Sequence, residues 1–218
     1  MTRTARIVLT TASIAVIVAV VVVLLVTRST GEPDTSASAG DGAAQVVREN
    51  SHRLNDVPDA DVTFVEFLDF ECEGCKAFYP TVEKLRADYG DRVEFILRYF
   101  PLPGHFNAER AARVVEAAAQ QGQLEAMYHE MFETQPEWGE QRVAADDVFR
   151  GFAIELGLDM DKFDATYNDP ATAERIRLDI DDGTELGVRG TPSFFINGSP
   201  IRARSPEDLR AALDNALR

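Results

Sequence analysis

The sequence predicts an α/β domain interrupted by a block of helices and carried behind one N-terminal transmembrane helix. Three observations predict it. Residues 7–26 form an apolar run of 20 residues. A strand, helix, strand pattern then occupies residues 62–100. After a helical stretch from 107 to 186, a strand and hairpin signal returns at 193–203. At 218 residues and 45% hydrophobic, the chain has room for a substantial core. The net charge of −15 argues against nucleic-acid binding, because an acidic surface repels phosphates.

The apolar run has Thr10, Thr11 and Ser13 as its only polar members, and it spans about 30 Å as a helix, the thickness of a bilayer core. Arg3 and Arg6 precede it and Arg28 follows, which favours a cytoplasmic N-terminus and an exported domain. The competing reading is a cleaved signal peptide, with Ala37-Ser38-Ala39 as the cleavage site. The run is longer than a usual signal core, and that site lies well past its end. Residues 1–28 are therefore read as the anchor and residues 29–45, rich in Ser, Thr, Gly, Ala and Asp, as a flexible linker.

The domain is expected over residues 46–218. Val46 and Val47 are read as the start of a short edge strand. Val62 to Leu68 is β-branched and aromatic on both faces, as a strand covered on both sides should be. From Cys72 to about Tyr89, Phe78, Val82, Leu85 and Tyr89 recur at helical spacing, with Pro80 as a candidate kink. Arg92 to Phe100 is a second apolar strand, so a parallel pair with a crossover helix follows. The helical insertion is placed at about 105–186, with breaks at Gly122, Pro136, Gly157 and Pro170. Ser193 to Ile196 is a strand, Asn197-Gly198 a hairpin turn and Ser199 to Ala203 the return strand. Leu209, Leu213 and Leu217 align on a last helix.

The chemistry is read at Cys72-Glu73-Gly74-Cys75, where the first long strand gives way to a helix. Free amides and the helix dipole stabilise an anion there, so Cys72 should be the more ionised thiol and the nucleophile. Cys75, three residues on, can turn back and resolve a mixed disulfide. A purely stabilising bond across so short a loop is worth at most about 2 kcal/mol. A metal site lacks ligands: there are two cysteines, and His52, His105 and His129 are scattered. His105 and Trp138 are read as a solvated loop residue and a packing residue.

These features resemble the DsbA-like branch of the thioredoxin superfamily. The resemblance covers residues 46–218 and rests on Phe67-Leu68-Asp69-Phe70-Glu71-Cys72-Glu73-Gly74-Cys75-Lys76 and on Val188-Arg189-Gly190-Thr191-Pro192-Ser193-Phe194-Phe195. It implies a thioredoxin-like fold with an inserted helical subdomain. It further implies that Pro192 is a cis-proline facing the cysteines, that Thr191 offers its backbone to an extended substrate, and that Glu66 is a buried acid handling the proton of Cys75. On the residues alone, a plain strand-entry proline is the better reading of Pro192, and a charge on an exposed edge is the lesser alternative for Glu66. Glu73 and Gly74 are the redox-tuning positions. A carboxylate beside the nucleophile disfavours its thiolate and weakens an oxidant, and Lys76 offers partial compensation.

The expectation is a membrane-anchored, extracytoplasmic thiol–disulfide oxidoreductase. It would form disulfides in exported proteins, act as a monomer, be reoxidised by a membrane redox partner, and need no cofactor beyond the Cys72–Cys75 disulfide. The alternatives are a reductase or isomerase fed by a membrane electron donor, and a redox-inactive binding or chaperone module.

Overall fold

A computed structural model describes residues 44–218, which form one compact unit. The expected membrane helix and all but the end of the expected linker lie outside the described residues. Among those described, no helix is long and apolar enough to cross a membrane.

Five strands make one sheet: β1 (His52–Arg53), β2 (Val62–Leu68), β3 (Val93–Tyr99), β4 (Ser193–Ile196) and β5 (Ser199–Ile201). Their spatial order is β1-β3-β2-β4-β5. β2 and β3 run parallel, from Val62 opposite Val93 to Leu68 opposite Tyr99. The crossover between them is α1 (Glu73–Tyr89), which continues through Pro80. β4 is antiparallel to β2, and β5 returns along β4. Their hairpin turns at Asn197 (φ 48°) and Gly198 (φ 77°), the left-handed pair such a turn requires. A last helix, α8 (Pro206–Ala216), buries Leu209 and Leu213.

The strands alternate between two cores, because successive side chains face opposite ways. Phe64, Leu68, Phe95, Leu97 and Phe194 join the larger core with α1 and α8. Val65, Phe67, Ile96 and Phe195 join the smaller one with Phe100 and Val188. The insertion supplies α2 (Ala108–Ala119), α3 (Leu124–Glu133), α4 (Gln135–Trp138), α5 (Asp146–Glu155), α6 (Met160–Asn168) and α7 (Pro170–Glu185). Pro136 and Pro170 open helices rather than merely interrupt them, since a first-turn position needs no N–H. Trp138 is packed against Phe149, as expected.

The edge strand is displaced from its expected place. Val46 and Val47 pack against the smaller core, and the strand on that edge is His52–Arg53, antiparallel to β3. The carbonyls of Gln45 and Val46 are taken instead by the Arg98 guanidinium, at 2.9 and 2.8 Å. Arg98 lies fully buried on β3 and is held by Asp179 (2.7 Å) and Asp182 (2.5 Å) of α7.

Candidate active site

β2 ends at Leu68, and residues 69–72 carry the chain to the start of α1. Cys72 is the N-cap residue of that helix. The Cys72 N–H donates to the Asp69 carbonyl (3.1 Å), and the Cys72 carbonyl accepts from Lys76 N–H (3.1 Å), which fixes the turn. Gln135 of α4 reaches over and donates to the carbonyls of Phe70 (2.6 Å) and Cys72 (3.1 Å). The helical insertion thus clamps the cysteine turn.

Both cysteines are free thiols. Cys72 retains 7% of its surface and Cys75 1%, so the first is the accessible one. Their acidities diverge. The hydrogen bond from Cys75 draws the Cys72 thiol down to about 6. Burial opposes that, while Thr191 and the backbone amides of Cys75 and Gly74 assist it. Cys75 is pushed well above the ordinary thiol value, first by burial, then by Cys72 and by the charge of Glu66.

Glu66 alternates with Phe64 and Leu68 and so lies on the face of β2 that packs against α1. It is 5% exposed, and the apolar gap beside it is too tight for water. Burial, then the charges of Cys72 and Glu83, raise its carboxyl to about 8. The exposed-edge reading of this acid does not hold.

The Thr191-Pro192 turn faces the cysteines, with a cis peptide bond. As a thiol, Cys72 Sγ donates to the Thr191 carbonyl at 3.3 Å. Gly74 permits this approach. A Cβ there would meet Pro192 Cδ at 3.3 Å, with Cys72 Sγ and the Thr191 oxygen at 3.4 Å. Glu73 is exposed at the head of α1. Lys76 points elsewhere: its ammonium donates to the Phe132 carbonyl and lies 5.4 Å from the Tyr79 ring centre.

Three contributors were not identified from the sequence. Asp69 is buried. Its Oδ1 accepts from Glu71 N–H (2.8 Å), and its Oδ2 from Leu102 N–H (2.9 Å) and His105 Nδ1 (2.6 Å). His105 is therefore no solvated loop residue: it borders the cysteine turn. Glu71, also buried, accepts from Asn107 N–H (2.6 Å) and Glu140 N–H (3.1 Å), tying the same turn to the insertion. The donor atoms of Glu73, His105 and Glu140 lie within 4.8 Å of one another, compact enough for a cation. Two of the three are exposed carboxylates, and the imidazole is already engaged by Asp69, so the group is best described as an imidazole ringed by acids.

A family model described as thioredoxin matches residues 57–215. A solved thioredoxin-like oxidoreductase from Silicibacter pomeroyi is 28% identical, with a TM-score of 0.65 over 78% of this chain and 94% of that one. Oxidised BdbD from Bacillus subtilis superposes with a TM-score of 0.71 over 80% of this chain and 97% of its own, at 20% identity, a likeness of fold alone. Among curated relatives, the Na(+)/H(+) antiporter NhaA 1 of Mycolicibacterium gilvum is 36% identical over 165 residues. That match covers 73% of this chain and 25% of the antiporter. The chain spans about a quarter of the length of such relatives, and ion transport does not carry over to it.

Proposed function

The chain belongs to the thioredoxin family, and from that premise we propose that it is a membrane-anchored, extracytoplasmic thiol–disulfide oxidoreductase of DsbA-like fold that forms disulfides in exported proteins. The observation that carries this reading is the division between two thiols in one turn: Cys72 is held at about 6, and Cys75 far above it.

The cysteine pair is itself the redox group. In the oxidised form a substrate thiolate attacks Cys72 Sγ. The Cys72–Cys75 bond breaks, and its electron pair leaves on Cys75. Cys75 is a poor thiolate and takes up a proton. Glu66, whose carboxyl is held by burial above the ordinary carboxylate range, is placed to provide it. The Thr191 backbone aligns the incoming chain beside Cys72. The substrate's second thiolate then attacks its own sulfur in the mixed disulfide, releasing oxidised substrate and the Cys72 thiolate. The lowered pKa of Cys72 makes it the better leaving group and drives the sequence forward. A separate membrane protein would reoxidise the pair, and residues 7–26 would keep the domain at the membrane.

Equilibration of the full-length chain with glutathione redox buffers tests the direction. The expected potential is more oxidising than about −200 mV, accompanied by rapid oxidation of a reduced, unfolded substrate. A potential below about −250 mV would support the reductase reading, which the carboxylates of Glu73 and Glu140 favour. A pair that exchanges with neither glutathione nor substrate would contradict both.

A further inference from the structure

The charges around the Cys72 sulfur pose a problem for its thiolate. Glu73 follows it in sequence, and Asp69 and Glu71 line the turn beneath it. Lys76 is committed to the Phe132 carbonyl. The base beside the turn is His105, from the loop after β3 and 33 residues further along the chain than Cys72, with its ring within 4.8 Å of the carboxylate of Glu73, the residue next to Cys72. Asp69 Oδ2 holds His105 Nδ1 at 2.6 Å and also holds the loop backbone at Leu102. The second ring nitrogen is left facing Glu140 Oε1 at 3.7 Å and Glu73. We propose that His105, fixed by Asp69, supplies the positive charge that stabilises the Cys72 thiolate and that the Glu73-Gly74 dipeptide does not supply.

His105 is a positioning residue, acting through the field it places on the sulfur. The groups facing it are Asp69, Glu71, Cys72, Glu73 and Glu140. Burial alone would push the imidazole down. The hydrogen bond and charge of Asp69, then the charges of Cys72 and Glu140, hold it above the ordinary histidine value instead. The interaction is mutual: whatever the imidazolium does for the thiolate, the thiolate does for the imidazolium. Forming the Cys72–Cys75 disulfide removes the thiolate, so His105 should release its proton at a lower pH in the oxidised protein.

The inference rests on the oxidoreductase reading for its significance, and its test does not depend on turnover. The full-length chain in detergent, labelled with 13C-histidine, is titrated by NMR in the reduced and disulfide forms. His52, paired with Glu116, and His129, beside Tyr79, serve as references. The His105 midpoint is expected to fall by roughly half a unit to one unit on oxidation. In His105→Gln, alkylation of Cys72 at pH 6 is expected to slow about three- to tenfold. An equal His105 midpoint in both forms would overturn the proposal. So would an unchanged alkylation profile in folded His105→Gln. Should that variant fail to fold, the two redox forms of the unaltered chain decide the matter. A protein showing this coupling but exchanging no disulfide with substrate would sink the oxidoreductase reading instead.

Discussion

Glu66 lies on an inner strand with its carboxyl raised from 4.5 to about 8, and this gives the reduced protein a pH dependence of definite sign. Between those values the folded chain holds a proton that the unfolded chain has lost, so stability falls as pH rises from about 5 to about 8. Glu66→Gln keeps the shape and removes the titration. Denaturant unfolding of the reduced variant should be flatter over that range and its stability higher than the parent's at pH 8.5. Exchange should meanwhile slow, because the proton carrier for Cys75 is gone. An unchanged pH profile and an unchanged exchange rate would remove Glu66 from the site. The two cysteines were legible in the sequence because their short spacing encodes them, whereas Glu66 and the Thr191-Pro192 turn were legible only through the family resemblance. Asp69, Glu71 and His105 were not. Asp69 and His105 stand 36 residues apart, and Glu71 and Asn107 likewise. They meet only when the loop after β3 folds over the loop after β2, a contact with no periodicity to betray it.

At the scale of elements, long strands and helices were readable because their apolar period persists over many residues. β1 was not, because two residues cannot display a period. Val46 and Val47 are apolar for a different reason: they cover the smaller core while Arg98 takes up the backbone oxygens of Gln45 and Val46. Arg98 was equally hidden inside a strand that otherwise reads as apolar. Its charge is matched by Asp179 and Asp182 from α7, so it joins β3, α7 and the segment leading into the domain. Arg98→Ala would leave both acids buried beside a cavity. Arg175 stays on Asp179 at 2.6 Å and Arg48 on Asp182 at 2.5 Å, so the cost should lie at or below the about 3–5 kcal/mol of a buried charge left without a partner. Equilibrium unfolding should show a loss of that order with the CEGC chemistry of any folded fraction retained. A loss within experimental error would mean that the network contributes little to holding α7 against the sheet.

For the whole molecule, the central claim is that Cys72 reacts and Cys75 resolves; that the domain is exported and tethered by residues 7–26 is part of the proposed function. The net charge of −15 on the chain repels anionic polymers. The sheet sets β2 beside β4, which brings residues 66–75 against residues 191–192 from the far end of the sequence. The helical insertion then closes over the turn through Gln135 and Glu71. This assembly presents one sulfur and conceals the other. The most direct measurement is trapping in cells that produce the full-length Cys75→Ala chain, with thiols blocked before lysis. Without a resolving thiol, exported proteins should accumulate as mixed disulfides on Cys72, recovered with the membrane fraction and dispersed by reductant. The counterpart Cys72→Ala should trap none. Absence of adducts on Cys75→Ala, or adducts formed through Cys75 in Cys72→Ala, would contradict the account.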